Sequence, residues 1–103
     1  MTAAFVVTSA IAESDIEEIA RYISADSLIS AKKFGLEFSE ALNRIRAFPL
    51  SGHAVAGKPK FYVMRVSARF WRYLIVYRLD NEGVEIQRIL HSAMDVQAKL
   101  DVL

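Results

Sequence analysis

Six cations and no acid occupy residues 51–79: Lys58, Lys60, Arg65, Arg69, Arg72 and Arg78. A guanidinium fork grips carboxylate or phosphate through paired hydrogen bonds. Trp71, Tyr62, Tyr73 and Tyr77 are interleaved with these cations, and aromatic faces either stack on bases or anchor protein contacts. His91 follows at the end of the same stretch, and histidine is the side chain that exchanges protons near neutral pH. Two chemistries fit these residue types. In the first, Arg65 and Arg72 hold phosphates of a polyanion. In the second the stretch docks a protein, with Arg69 and Trp71 as an exposed pair at a hairpin turn. Core packing competes for the aromatics, because strand alternation buries every second residue. Pairing with helix carboxylates competes for the arginines.

Other chemistries find little support. There is no cysteine, so disulfides, thiolate metal sites and cysteine nucleophiles are excluded. His53 and His91 have no metal-ligand spacing around them, and neither a metal nor a cofactor is expected. Ser14 and Ser92 read as helix caps rather than nucleophiles. The glycines of residues 49–60 do not have phosphate-loop spacing.

The elements that must position these residues follow from pattern. Residues 3–8 contain Phe5, Val6 and Val7 and read as a first strand. Ser14 and Glu17 form a capping box, and Asp15, Glu17 and Glu18 suit the positive end of a helix. Ile16, Ile19, Ala20 and Ile23 then recur with helical period, giving a helix over about residues 14–25. Ser27 can cap a second helix over about 28–47. Its apolar face is Ala31, Phe34, Phe38, Ala41, Leu42, Ile45 and Phe48, Glu40 and Arg44 pair across one turn, and Pro49 ends it. A loop fills 49–60.

Three strands close the chain: Phe61–Val66, Trp71–Leu79 and Val84–His91, joined by short loops as antiparallel hairpins. Gly83 is expected to supply positive φ in the turn after Asp80. In the last strand Val84, Ile86 and Leu90 share one face, and Ile89 and His91 the other. Residues 92–100 make a short helix or tail.

These elements predict an α+β fold in the order β-α-α-β-β-β, with a helical hairpin on one face of a small, mostly antiparallel sheet. The other face is expected to lie uncovered. At 103 residues, residues 1–103 form a single domain. Hydrophobic residues make up 53%, more than a small core needs, which leaves apolar surface for a partner. Net charge is only +1, yet residues 1–50 carry five basic and seven acidic side chains while 51–79 are wholly basic. That segregation draws anions or an acidic peptide to one surface. No apolar run approaches the ~20 residues that span a bilayer, and the N-terminus lacks the basic region of a signal peptide. A cytoplasmic location is expected, without membrane contact.

Four segments together carry a family resemblance: AESDIEEIARYI in the first helix, ALNRIRAFPLSG at the end of the second, YLIVYRLDNEGVEIQRILH in the strands, and HSAMD. Phe48-Pro49 and Gly52, then Arg65, then Tyr73 to Arg78, then Val84 to His91 stand in the same order as in the ParE branch of the RelE/ParE toxin superfamily. The resemblance covers about Ala10 to Leu100.

It implies a toxin of a bacterial type II toxin–antitoxin module. Such a toxin is neutralised in a hetero-oligomer by a ParD-like ribbon–helix–helix antitoxin, and it meets operator DNA only through that antitoxin. The ParE branch is associated with inhibition of DNA gyrase by protein contact, without enzymatic activity. The RelE branch cleaves mRNA on the ribosome, and there the catalytic candidates are Arg65 and His91. Two departures weigh against the nuclease. The ParE pattern often has arginine where Met94 stands, and after His91 the only cation is Lys99. Target or antitoxin contacts are therefore expected at Arg65, Arg69, Trp71, Arg72, Arg78 and His91, with acidic residues of an antitoxin tail meeting Arg65, Arg72 and Arg78.

Overall fold

The computed structural model describes residues 2–103. In chain order the elements are β1 (Phe5–Thr8), α1 (Ala10–Asp26), α2 (Leu28–Ala47), β2 (His53–Ala54), β3 (Phe61–Arg65), β4 (Tyr73–Asp80), β5 (Gly83–His91) and α3 (Val96–Asp101). The sheet order is β1-β5-β4-β3-β2. Only β1 with β5 is parallel; β2–β3, β3–β4 and β4–β5 are antiparallel. This is the α+β arrangement that the sequence implies, with the α1–α2 hairpin on one face. The two-residue β2 lies inside the segment read as loop.

The hairpin forms where its serines cap it. Ser27 Oγ accepts from the Ser30 amide and starts α2 directly after α1. α1 starts earlier than the capping box predicts. Ser9 is its cap: Ser9 Oγ accepts from the Ala12 amide and donates to the Gln87 carbonyl, while the Ser9 amide donates to the Ile86 carbonyl. One residue thus finishes β1 against β5 and opens α1, and Ser14 is an exposed residue of the first turns. α3 is capped by Asp95 rather than Ser92. The Glu40–Arg44 pair does not form either, since Arg44 donates instead to the Val66 carbonyl at 3.0 Å.

Between hairpin and sheet lies the main core. Phe34, Phe38, Ala41 and Ile45 of α2 and Ala12 of α1 meet Val66, Ile75, Tyr77, Val84, Ile86 and Ile89. Phe48, expected on the buried face, is 66% exposed, because α2 ends at Ala47 and the chain turns there.

The opposite sheet face is covered, contrary to expectation. Leu100 of α3 packs on Val76 and Leu90, and Val55, Phe61, Val63, Val96 and Leu103 surround them. The Lys58 ammonium holds the end of this cover through the Leu103 carbonyl at 2.7 Å. Phe5 and Val7 of β1 lie beyond it, half exposed.

Simple alternation fails along β5. Tyr77 pairs with Ile86 but Val76 with Arg88, so Gln87 is an extra residue, a β-bulge. The bulge exchanges the faces downstream. Ile86 and Ile89 both reach the hairpin core while Leu90 joins the α3 side.

The turn between β4 and β5 also departs from expectation. Asn81, with φ 47°, takes the left-handed position, and Gly83 does not. Gly83 is required for a different reason: a Cβ there would overlap the Phe5 ring.

Candidate functional site

The loop between β3 and β4 is built as a rigid tip. Ser67 Oγ accepts from the Phe70 amide, and the Phe70 carbonyl accepts from the Tyr73 amide. The Phe70 ring sits edge-on against buried Phe34 at 5.2 Å. The Val66 amide donates to the Tyr73 carbonyl, and the Ser92 amide to the Arg72 carbonyl. β4 begins at Tyr73, so Trp71 and Arg72 are released from the strand in which the sequence placed them.

Trp71 is 47% exposed at this tip. The Arg65 and Arg72 guanidinium carbons lie over its ring at 5.5 and 5.0 Å from the centroid. Such contacts contribute about 0.5–1 kcal/mol each at exposed sites. Arg65 also donates to the Trp71 carbonyl at 2.5 Å. Among the described residues neither Arg65 nor Arg72 is in an ion pair. Arg69 is different, because it meets Glu37 of α2 at 3.0 Å and its charge is already answered.

The remaining candidates lie elsewhere. Arg78 stands opposite Phe61 and Arg65 opposite Leu74. Four rungs of sheet, about 13 Å, therefore separate the two arginines along β3. Arg78 reaches Glu85 at 3.6 Å, and its Nε is buried without a partner. Both arginines belong to the α3 face of the sheet, at opposite ends of β3.

His91 pairs with Tyr73 in the sheet and meets the Tyr73 ring edge-on at 5.1 Å. This places it on the hairpin face, whereas Arg65 alternates with Tyr62 and Met64 and belongs to the α3 face. β4 runs between them, so they are two strand spacings, about 10 Å, apart and on opposite sides of the sheet. His91 Nδ1 accepts from the Ala93 amide at 2.9 Å. In the neutral ring the proton then sits on Nε2, and that nitrogen presents a donor rather than a base. Asp95 is not its partner; the Asp95 carboxylate caps α3.

His91 and Tyr73 floor a cleft of about 480 Å³ between α1 and α3, with Glu18, Tyr22, Met94 and Lys99 on its walls. Burial, and then the neighbouring Tyr22, push the Tyr73 hydroxyl above the usual phenol range. Asp15 closes one end. Its carboxylate accepts from Arg88 Nε at 2.8 Å, Arg88 Nη2 at 3.1 Å and the Ile89 amide at 3.0 Å. β1 covers β5 only as far as Ile86, so Asp15 and Ser9 satisfy the strand edge that β1 leaves open. The hydrogen bond to Asp15 raises the Arg88 pKa further.

From sequence Asp15 suits the helix dipole, and nothing marks Arg88. The available signal was the spacing of Ile11, Asp15, Glu18 and Tyr22 along one helix face. Among the described residues no group of three His, Asp or Glu could hold a metal. No helix there is long and apolar enough to cross a membrane.

Comparison with solved structures identifies the same architecture elsewhere. One match is a structure titled as the chromosomal ParDE TA system from P. aeruginosa. It has a TM-score of 0.67 at 16% identity and covers 84% of this chain and 92% of its own. Another is titled as the crystal structure of the RelB–RelE antitoxin–toxin complex from Methanococcus jannaschii. It has a TM-score of 0.51 at 16% identity and covers 94% and 98%. At such identities the likeness is one of fold. No curated protein sequence matches. Residues 6–96, however, match the family described as ParE toxin of type II toxin-antitoxin system, parDE. That span takes in α1, α2, β2 to β5, the tip and all of β1 but Phe5. The chain belongs to the ParE toxin family.

Proposed function

We propose that this chain is the toxin of a type II module, held silent in the cytoplasm by a ParD-like antitoxin, and that when free it arrests growth by contact with DNA gyrase. The observation that carries the contact mechanism is the separation of Arg65 from His91 by the sheet, with His91 Nδ1 engaged by the Ala93 amide. Cleavage of RNA needs a proton acceptor and a phosphate-holding cation converging on one scissile bond. What stands free instead is a rigid tip suited to protein contact.

The exposed apolar residues support antitoxin binding. Leu28, Ile29 and Leu36 of α2 and Tyr22 of α1 are each more than 60% exposed. An amphipathic antitoxin helix laid on this face buries them, and an extended segment can add to the open edge of β1. Operator DNA is reached only through the antitoxin.

The test is a gyrase supercoiling assay run beside a ribosome-dependent mRNA cleavage assay, with purified toxin at micromolar concentration. Inhibited supercoiling with intact message is the expected result. Untouched supercoiling and unaltered cleavage complexes refute gyrase as target, and cut message restores the nuclease alternative.

A further inference from the structure

We infer that the tip formed by Arg65, Trp71 and Arg72 contacts an acidic segment of the toxin's protein target, and that it acts separately from the surfaces an antitoxin covers. The inference rests on the toxin reading above and names the chemistry of the contact.

The charge pattern comes first. The wholly basic segment 51–79 engages three of its six cations internally. Arg69 pairs with Glu37, Arg78 reaches Glu85, and Lys58 holds the Leu103 carbonyl. Lys60 stands just before β3, at the Arg78 end of that strand, while Arg65 and Arg72 remain together, both held over one exposed indole. Two unanswered guanidinium groups beside a half-exposed tryptophan have the composition of a protein hot spot, and their charge selects carboxylates.

A polynucleotide fits less well. Polyanion binding draws on a track of cations, on the order of six or more phosphate contacts for strong affinity. Here only two free cations stand together, and Arg69 of the same loop is already paired with Glu37. Guanidinium groups also lie over the indole face on which a base would stack.

Rigidity separates this tip from the antitoxin surfaces. Several bonds shape the loop: Ser67 to Phe70, Phe70 to Tyr73, Arg72 to Ser92, Arg65 to Trp71 and Arg69 to Glu37. A pre-shaped contact loses little entropy on binding. The tip adds only Trp71 to the exposed apolar surface. The other exposed large apolar residues lie away from it, among them Tyr22, Leu28, Ile29 and Leu36 on the helices, Phe5 and Val7 on β1, and Phe48 and Leu50 after α2. Target recognition and antitoxin masking thus have separate physical bases in this molecule.

The experiment expresses the full chain, alone and with the antitoxin encoded beside it, as wild type, R65E/R72E, R72E and W71A. R72E is included because Arg65 also braces the loop through the Trp71 carbonyl, whereas the Arg72 side chain touches only the ring. Thermal melts establish that each variant is folded. Loss of two such anchors weakens target binding about a hundredfold. The expected result is therefore lost growth arrest for R65E/R72E, and weakened arrest for R72E and W71A, with antitoxin co-purification unchanged. Folded variants that still arrest growth overturn the inference. So do folded variants that lose the antitoxin as well, which would make the tip an antitoxin surface. Salt-sensitive binding of wild type to a DNA or RNA oligonucleotide, abolished in R65E/R72E, overturns it in favour of a polyanion. A wild type that leaves growth untouched removes the toxin reading and this inference together.

Discussion

Replacing Asp15 by alanine removes the acceptor of three hydrogen bonds at once, from Arg88 Nε, Arg88 Nη2 and the Ile89 amide. Asp15 and Arg88 side chains are 12% and 20% exposed, so solvent screens the pair only weakly. The change leaves a mostly buried guanidinium without its counter-charge and a strand-edge amide without an acceptor. Breaking a buried pair on one side costs about 3–5 kcal/mol. Partial exposure of Arg88 lets water recover some of this, and we expect about 3 kcal/mol. For a domain of this length that lowers Tm by on the order of 15 °C.

Urea unfolding followed by helical circular dichroism measures the cost. A cycle with Arg88→Met isolates the coupling between the two side chains, and the double variant is expected to recover part of the loss. Amide exchange at Ile89 should accelerate in D15A. A cost below about 1 kcal/mol with no coupling would match a solvated surface pair and would refute the assignment of Asp15 as closure of the β5 edge.

Three further substitutions test buried contacts and backbone. The Tyr77 hydroxyl donates to the Pro49 carbonyl at 2.8 Å and accepts from the Gly52 amide at 3.0 Å, so Tyr77→Phe should cost about 2 kcal/mol in denaturant titration. Burial, countered in part by the Gly52 amide, pushes this hydroxyl above the usual phenol range. Stability from Tyr77 is thus fully present below about pH 10, the ordinary phenol value, and is lost as pH rises through the higher folded-state value. Melts between pH 8 and 11 should fall less steeply for Y77F. Gly83→Ala drives a methyl into the Phe5 ring and should cost about 1–3 kcal/mol; Phe5→Ala in the same chain should relieve it, as a double-mutant cycle will read. Gly35 lies in mid-helix with open space where a Cβ would stand, so Gly35→Ala should raise stability by about 0.5–1 kcal/mol.

The fold was legible where one local signal decided. Ser27 and Pro49 bound α2, and the apolar period of Phe34, Phe38, Ala41 and Ile45 names its buried face. Element order and antiparallel pairing followed from short turns. What was not legible depended on partners far along the chain. Ser9 caps α1 because β5 passes beside it, so the strong local signal at Ser14 lost to a tertiary one. Gln87 has nothing in its own sequence that marks a bulge, and the exchange of faces below it moved Ile89 and His91 relative to Ile86. α3 was seen as a helix or tail, but its role as a cover depends on Leu100 meeting Val76 and Leu90. The site was half legible. Composition singled out Arg65, Trp71 and Arg72, while only the structure shows that Arg69 and Arg78 are paired and that His91 faces the other way.

The parallel pairing of β1 with β5 governs the order in which this protein can assemble. β4 and β5 are joined by a tight turn and can zip locally, as can the α1–α2 hairpin. β1 has no neighbour in the sheet except residues 83–86, nearly the whole chain away. Its loop must close before it gains any ladder bond, and such late, non-local pairings slow folding. During synthesis the uncharged segment TAAFVVTS emerges well before the β5 residues it pairs with. The toxin's sheet, and the tip braced by Ser92 and Phe34, can be completed only after almost all of the chain has been made. Closure of this one strand is thus expected to be a late step in folding.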